Sequence, residues 1–482
     1  MAGFSEMRVV LVIAAGFASA ALLYLGTGLH PIWPLLWLAP VPVLALAPRL
    51  RASTAFLLAS VAWLVGGLNQ WNYFTRAMEL PLPLIATALI VPAIIFGFGV
   101  LFTRSFLQRE SLFQASLAFP VYWVAWEYLT EIRSPHSTWG NLAYTQMNCL
   151  PIIQIASITG IWGISFIVFL FAGTVATLLS GVGEPPQSRA LAITVGVVML
   201  ALFLFGEWRL GSNPSAQSVT VTLMAKDVPM SVYLGPEDQA LELLRQYADE
   251  VRHATPAGTQ VVVLPEKIAR VREDNLLQVD ALFSSAATAT NAAIVLGLVR
   301  REASAAFNSS RFYSPAGKME ANYDKHHLLP RVEPEEPGDR TVVLDQPSGR
   351  WGLQICKDMD FPKLSREYAG EGANLLLVPA WDFNLDRWLH ARMAVLRAVE
   401  NGFALARSGR NGLLTLSDNR SRILAETATV FGRFVSITGK VNVTREKTFY
   451  AQAGDWFAWL CVALFATLLG TRLLTWKRGS ES

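Results

Sequence analysis

The stretch TQVVVLPE, residues 259–266, decides how the polar half of this chain folds. Its β-branched, apolar run predicts a largely buried strand with Glu266 at its end. Runs of the same kind stand around it: SVTVTLM (218–224), AAIVLGLV (292–299), WGLQIC (351–356) and NLLLVPAW (374–381). Between them, segments 237–253, 274–289 and 386–401 show helical periodicity with charged faces. Strands alternating with helices predict an α/β layered domain. Three reactive groups stand at or near strand ends: Glu266, Cys356 closing WGLQIC, and Lys325 in NYDKHHLLP. Such ends are where α/β folds put active sites. Taken singly, each has a plainer reading: a solvated Glu, a buried Cys, a solvated Lys.

The rest of the chain is of another kind. Its 482 residues exceed one ordinary soluble domain. Hydrophobic residues make up 52% and charged residues 16%, against about 25% charged in a soluble domain. Apolar residues are dense from 8 to 207, sparse from 215 to 450 and dense again near the C-terminus. Membrane spans are predicted near 8–28, 32–48, 54–72, 83–103, 112–130, 154–180, 190–207 and 455–474, since a spanning helix needs about 20 mainly apolar residues. The first is read as a retained span rather than a cleaved signal. With a cytoplasmic N-terminus, Arg8, Arg49, Arg51, Arg104, Arg109, Arg189, Arg472, Lys477 and Arg478 fall on the inner side. The outer short loops receive mainly Arg76 and Arg133. The positive-inside rule then puts the polar domain outside the cytoplasm. Glu127, near the outer end of the fifth span, is either a functional group or a water-bound interfacial one.

Several classes are excluded. A net charge of +3 without a Lys/Arg block gives no reason to expect nucleic acid. Cys149, Cys356 and Cys461 form no CxxC, and HExxH is absent, so neither a disulfide framework nor a metal site is predicted.

Flanking residues join the three groups into one pattern, which resembles the nitrilase (carbon-nitrogen hydrolase) superfamily with its Glu-Lys-Cys triad. Glu266 follows Leu264 and Pro265; Lys325 sits in Tyr323-x-Lys-x-x-Leu328-x-Pro330; Glu333 follows eight residues after that Lys; Gly352-x-x-Ile355 precedes Cys356. A nitrilase-like domain between a seventh and an eighth span is similar to the apolipoprotein N-acyltransferase family. The stretches WGNLAYTQ…PIIQIASITGIWGISF (139–166) and ARMAVLRAVENGFALARSGRNGLLTLSD (391–418) share that likeness. Arg392, Arg397 and Glu400 in the latter are read as a structural ion-pair face.

The resemblance implies a multi-pass α-helical membrane domain plus an extracytoplasmic αββα sandwich. The divisions expected are 1–212 for a membrane domain with about seven transmembrane helices, 213–450 for the catalytic domain, and 451–482 for a last helix and a basic cytoplasmic tail. It implies a bacterial inner-membrane enzyme with the catalytic domain on the periplasmic side. An acyl chain would pass from a phospholipid, through a thioester on Cys356, to the α-amino group of a diacylglyceryl-modified lipoprotein. Glu266 would be the general base and Lys325 the oxyanion partner, with Glu333 orienting Lys325. No cofactor or metal is implied. Tyr233, Lys357, Asp358 and Trp381 are expected near the substrate. The chain departs from the family pattern at Lys357-Asp358, where Tyr-Glu is usual, and at Tyr233, which stands where a lid Trp is usual. Sequence leaves the second nucleophile open between an amine and water, the latter giving a membrane-anchored amidase. A non-catalytic scaffold or a transporter are the remaining readings.

Overall fold

The computed structural model describes residues 2–212, 217–444 and 446–480. They fall into two compact units. The first holds Met1–Arg133, Gly140–Gly211 and Asp455–Ser482, and the second Ser134–Trp139 with Ser212–Gly454. The expected boundary residue 213 and the side chains of Arg8, Lys477 and Arg478 lie outside those described.

Among the described residues of the first unit, six helices are long and apolar enough to cross a membrane: Val9–Gly26, Ala52–Gln70, Leu82–Leu107, Ile161–Leu179, Pro185–Gly211 and Trp456–Leu474. Their outward faces carry large apolar side chains such as Phe17, Ile193 and Trp208, as a lipid solvent requires. Two of the expected spans take other forms. Segment 32–48 breaks at Pro40 into the short helices Trp33–Leu38 and Val41–Leu46. It must nonetheless run the length of the unit, because the helices on either side of it are parallel. Gly16 meets Leu58 and Gly66 meets Leu23, and Asn69 bonds the carbonyls of Tyr24 and Thr27 at 2.9 and 3.0 Å. The expected fifth span is the helix Leu112–Glu131, which carries Glu127 and Glu131 and is not one of the six.

Small residues set how closely these helices approach. A Cβ on Gly66 would lie 2.4 Å from the Leu23 side chain. At one end of the unit, two arginines cap helix-end carbonyls: Arg49 donates to Ser180 O at 2.9 Å and Arg104 to Leu50 O at 2.8 Å. Arg472 joins them there, donating to the Ser105 hydroxyl Oγ at 3.0 Å. At the other end, Glu127 is 2% exposed and accepts from Leu142 N at 3.3 Å. Asn141 joins Glu131 (2.9 Å) to Ser165 (3.2 Å). Glu127 is therefore no wet interfacial group; it anchors the loop that returns after its helix.

Among its described residues the second unit has thirteen strands: β1 (Gln217–Lys226), β2 (Val261–Val263), β3 (Arg270–Arg272), β4 (Ala293–Arg301), β5 (Ala306–Tyr313), β6 (Met319–Asp324), β7 (Val343–Gln346), β8 (Gly349–Leu353), β9 (Leu375–Trp381), β10 (Ala404–Arg410), β11 (Leu413–Ser417), β12 (Ile423–Ala428) and β13 (Phe434–Val443). One sheet runs β13-β1-β2-β4-β5-β6, with β3 added beside β4; the other runs β12-β11-β10-β9-β8-β7. The central pairs β1/β2, β2/β4, β8/β9 and β9/β10 are parallel. That explains the unbroken apolar runs, since strands covered on both faces need not alternate.

The sheets meet face to face, joined by a buried bond from Ser408 Oγ to Met224 O at 3.0 Å. Helices Glu237–Ala254 and Glu273–Thr290 cover the first sheet, and Pro362–Gly370 and Arg387–Asn401 lie with the second. The result is the expected αββα sandwich. The helix Glu237–Ala254 buries Ala240, Leu243, Leu244, Tyr247, Ala248 and Val251, one stripe at helical spacing. Its first turn is acidic and its last basic, which suits the helix dipole. The ion-pair reading of the 391–418 stretch takes two forms here. Arg397 pairs with Glu400 at 3.0 Å with both side chains wholly buried, and Arg392 reaches Glu426 at 2.6 Å.

Candidate active site

Glu266 owes its place to the early end of β2. Hydrogen bonding to the first sheet lapses between Leu264 and Ile268, and there Glu266 N donates to Ala380 O of β9 at 3.3 Å. The segment crosses over Gly297, where a Cβ would come within 2.3 Å of Pro265 O, so β4 needs glycine there. Lys325 follows β6 and is held through its backbone: its N–H donates to Asn308 O at 2.9 Å, and its carbonyl accepts from Gly338 N at 2.8 Å. Cys356 follows β8 and opens the tight turn Cys356–Asp360 with φ +43°. A left-handed φ is strained for a residue bearing a Cβ, and such strain gathers at functional positions.

These elements bring Glu266, Lys325, Glu333 and Cys356 together. Lys325 Nζ lies 2.8 Å from Glu266 Oε1 and 2.8 Å from Glu333 Oε2. Glu266 and Lys325 are each 2% exposed, while Cys356 is partly exposed. The thiol donates to Trp381 O at 3.6 Å. Burial, helped by the Glu266 charge, pushes the thiol well above the ordinary cysteine range, although Lys325 pulls the other way. The resting sulfur is therefore a neutral thiol near neutral pH. Burial alone would lower the Lys325 ammonium, but Glu266 and Glu333 outweigh it and hold that charge firmly. Glu333 is likewise held below the usual carboxylate range by Lys325 and Lys267, against the effect of burial. The site thus brings together a neutral thiol, two carboxylates and a firmly charged ammonium.

Sequence reasoning missed several members. Asn308 on β5 donates to Glu266 at 2.6 Å and to Glu333 at 2.9 Å. Lys267 bridges Glu333 (2.8 Å) and Glu335 (2.9 Å). Arg407 on β10 forms a buried pair with Asp382, and both act on the thiol. Lys267 and Glu335 could have been suspected, being one and two residues from Glu266 and Glu333. Nothing local marks Asn308, Asp382 or Arg407.

The expected substrate contacts divide. Asp358 is wholly buried. Its oxygens accept from Tyr323 Oη (2.6 Å), His327 N (2.9 Å) and Ile355 N (3.2 Å), with His327 Nδ1 at 3.1 Å. With its acceptor positions taken, it ties the nucleophile's turn to the segment after Lys325 instead of facing a substrate. Lys357 turns to Asp360 at 3.3 Å and lies over the Phe361 ring. The cations that lower the thiol are Lys325 and Arg407. Tyr233 and Trp381 meet edge to face at 5.3 Å, and Trp381 also supplies the carbonyl that faces the thiol. Among the described residues no group of His, Cys, Asp or Glu could hold a metal ion.

Two family models match the chain in succession. Residues 19–174 match the apolipoprotein N-acyltransferase N-terminal domain, and residues 229–452 match carbon-nitrogen hydrolase. An apolipoprotein N-acyltransferase of Geobacter metallireducens is 28% identical over 92% of this chain and 92% of its own length. One from Vibrio vulnificus is 25% identical over 95% and 96%. Among solved structures, an amidase of the nitrilase superfamily from Nesterenkonia AN1 is similar over 50% of this chain and 96% of its own, with TM-score 0.41 and 21% identity.

Proposed function

Because this chain belongs to the apolipoprotein N-acyltransferase family, we propose that it moves an acyl chain from a phospholipid to the α-amino group of a diacylglyceryl-cysteine on a lipoprotein. The observation that carries the reading is the cluster itself: a partly exposed Cys356 thiol beside the Glu266–Lys325–Glu333 network, in a chain whose described residues include six membrane-length helices.

The chemistry follows from those groups. Glu266 takes the Cys356 proton as sulfur attacks the ester carbonyl. Lys325 neutralises the oxyanion of the tetrahedral intermediate. Collapse expels the lysolipid alkoxide, which receives the proton from Glu266, and leaves a thioester. The incoming amine attacks that thioester, gives its proton to Glu266 and departs as the amide, restoring the thiol. Glu333 and Asn308 keep Glu266 and Lys325 in register throughout.

We place the enzyme in the bacterial inner membrane with its second unit on the periplasmic side. The basic end formed by Arg49, Arg104 and Arg472 supports this, since basic ends stay cytoplasmic.

The test uses full-length protein in detergent, a phospholipid with a labelled acyl chain and a diacylglyceryl-cysteine peptide. Wild type should give N-acylated peptide in ping-pong kinetics, and Cys356→Ala should give neither thioester nor product. Transfer by Cys356→Ala would refute the mechanism; labelled free fatty acid without acylated peptide would assign water as the acceptor.

A further inference from the structure

The buried arginines Arg311, Arg392, Arg397, Arg407 and Arg420 each pair with a carboxylate. Arg410, at the end of β10 and 2% exposed, has no such partner within ion-pair distance among the described residues. Its Nη1 donates to Lys267 O at 2.9 Å, its buried Nε has no acceptor, and its guanidinium lies 3.9 Å from the centre of the Trp381 ring. Arg270, at the start of β3, repeats the pattern on the adjoining ring. It stands 5.5 Å over Tyr233, its Nε is also buried without an acceptor, and it too makes no ion pair among the described residues. An aromatic pair thus carries one cation over each ring.

A guanidinium cannot shed its proton, and burying one without a counter-ion is costly. The ring faces offset only part of that cost. An anion would complete the site, and the arginine fork suits the two oxygens of a phosphate. Its position is informative, because Trp381 presents its carbonyl to the Cys356 thiol at 3.6 Å and its ring to Arg410. An anion on Arg410 is then one residue's width from the reacting sulfur. In a phospholipid, the phosphodiester is a glycerol's length from the ester carbonyls.

We propose that Arg410 and Arg270 form the subsite for the phosphodiester of the phospholipid acyl donor, with Trp381 and Tyr233 as its walls. This rests on the acyl-transfer reading and adds to it the group by which the donor is recognised.

Full-length protein in detergent is given two donors with the same acyl chain, a phospholipid and an uncharged aryl ester. The thioester on Cys356 is followed in wild type, Arg410→Gln, Arg410→Lys and Arg270→Gln. In each Gln variant the ratio of kcat/KM for phospholipid to that for aryl ester should fall at least about tenfold, with Arg410→Lys in between. A wild-type ratio in the Gln variants overturns the subsite while leaving acyl transfer intact. If Arg410→Gln also loses alkylation of Cys356 by iodoacetamide, it has misfolded, and the partly exposed Arg270 decides the matter. Inorganic phosphate should slow the phospholipid reaction alone; equal slowing of both donors assigns the arginines to a free anion and overturns the proposal. If wild type accepts the aryl ester but no phospholipid, the acyl-transfer reading falls and the subsite with it.

Discussion

Replacing Asp358 separates a residue that holds the nucleophile from one that meets substrate. Its carboxylate accepts from Tyr323 Oη and Ile355 N, and those two residues are 1% and 0% exposed. Asp358→Ala leaves both donors buried without an acceptor, at about 1–3 kcal/mol each, so about 4 kcal/mol together. For a unit of this size that lowers Tm by roughly 10 °C. The turn Cys356–Asp360 also loses its tie to His327, which follows Lys325 closely in the chain. A misplaced sulfur should reduce thioester formation about 100-fold, and iodoacetamide should alkylate Cys356 at a changed rate. Asp358→Asn keeps one accepting oxygen and should fall between. Thermal denaturation in detergent, single-turnover acylation and thiol alkylation read the three effects. Should both variants lose transfer while Tm and alkylation match wild type, Asp358 acts on the substrate and does not hold the turn.

Three further outcomes are expected. Glu333→Gln removes the charge that bridges Lys325 and Lys267, so thioester formation should drop about 100-fold; a rapid-mixing burst equal to that of wild type would refute this. His390 is buried against Asp386 at 2.9 Å. Burial would lower its pKa, but Asp386 outweighs that and raises it from 6.5 to about 9. Its stabilisation is then complete below pH about 6.5, the unfolded value, and is lost as pH rises through about 9. The ceiling is about 3 kcal/mol, so wild-type Tm should fall over this window and His390→Gln should flatten the slope; parallel slopes would refute the pairing. Gly66→Leu should drive apart the first two long helices, because a Cβ there meets Leu23 at 2.4 Å. A loss of about 1–3 kcal/mol is expected, measurable as a lower Tm in detergent, and an unchanged Tm would mean the helices are not so tightly apposed.

Local patterning made much of this protein legible in its sequence. Apolar runs separated the lipid-facing helices from the polar domain, because chain length and side-chain transfer energy decide that question without tertiary detail. Strands β1, β2, β4, β8 and β9 were readable as apolar runs, and the helices Glu237–Ala254, Glu273–Thr290 and Arg387–Asn401 fell within a residue or so of their periodicity. Strands β3, β5, β6, β7, β10, β11, β12 and β13 went unread, since strand formation depends on packing against neighbours more than on composition.

Glu266, Lys325, Glu333 and Cys356 could be picked out by their flanking residues, but sequence alone could not say that Lys325 bridges two carboxylates. That depends on two sheet layers meeting at the early end of β2, where the chain passes over Gly297. Partner choice at the remaining polar groups was likewise tertiary. Asp358 and Lys357, adjacent to the nucleophile in sequence, turn to Tyr323 and Asp360 and hold the turn, whereas Asn308 and Arg407, far away along the chain, reach the site. A buried charge takes whichever counter-charge the fold delivers within a few ångströms, and that distance is a property of packed layers, not of separation along the chain.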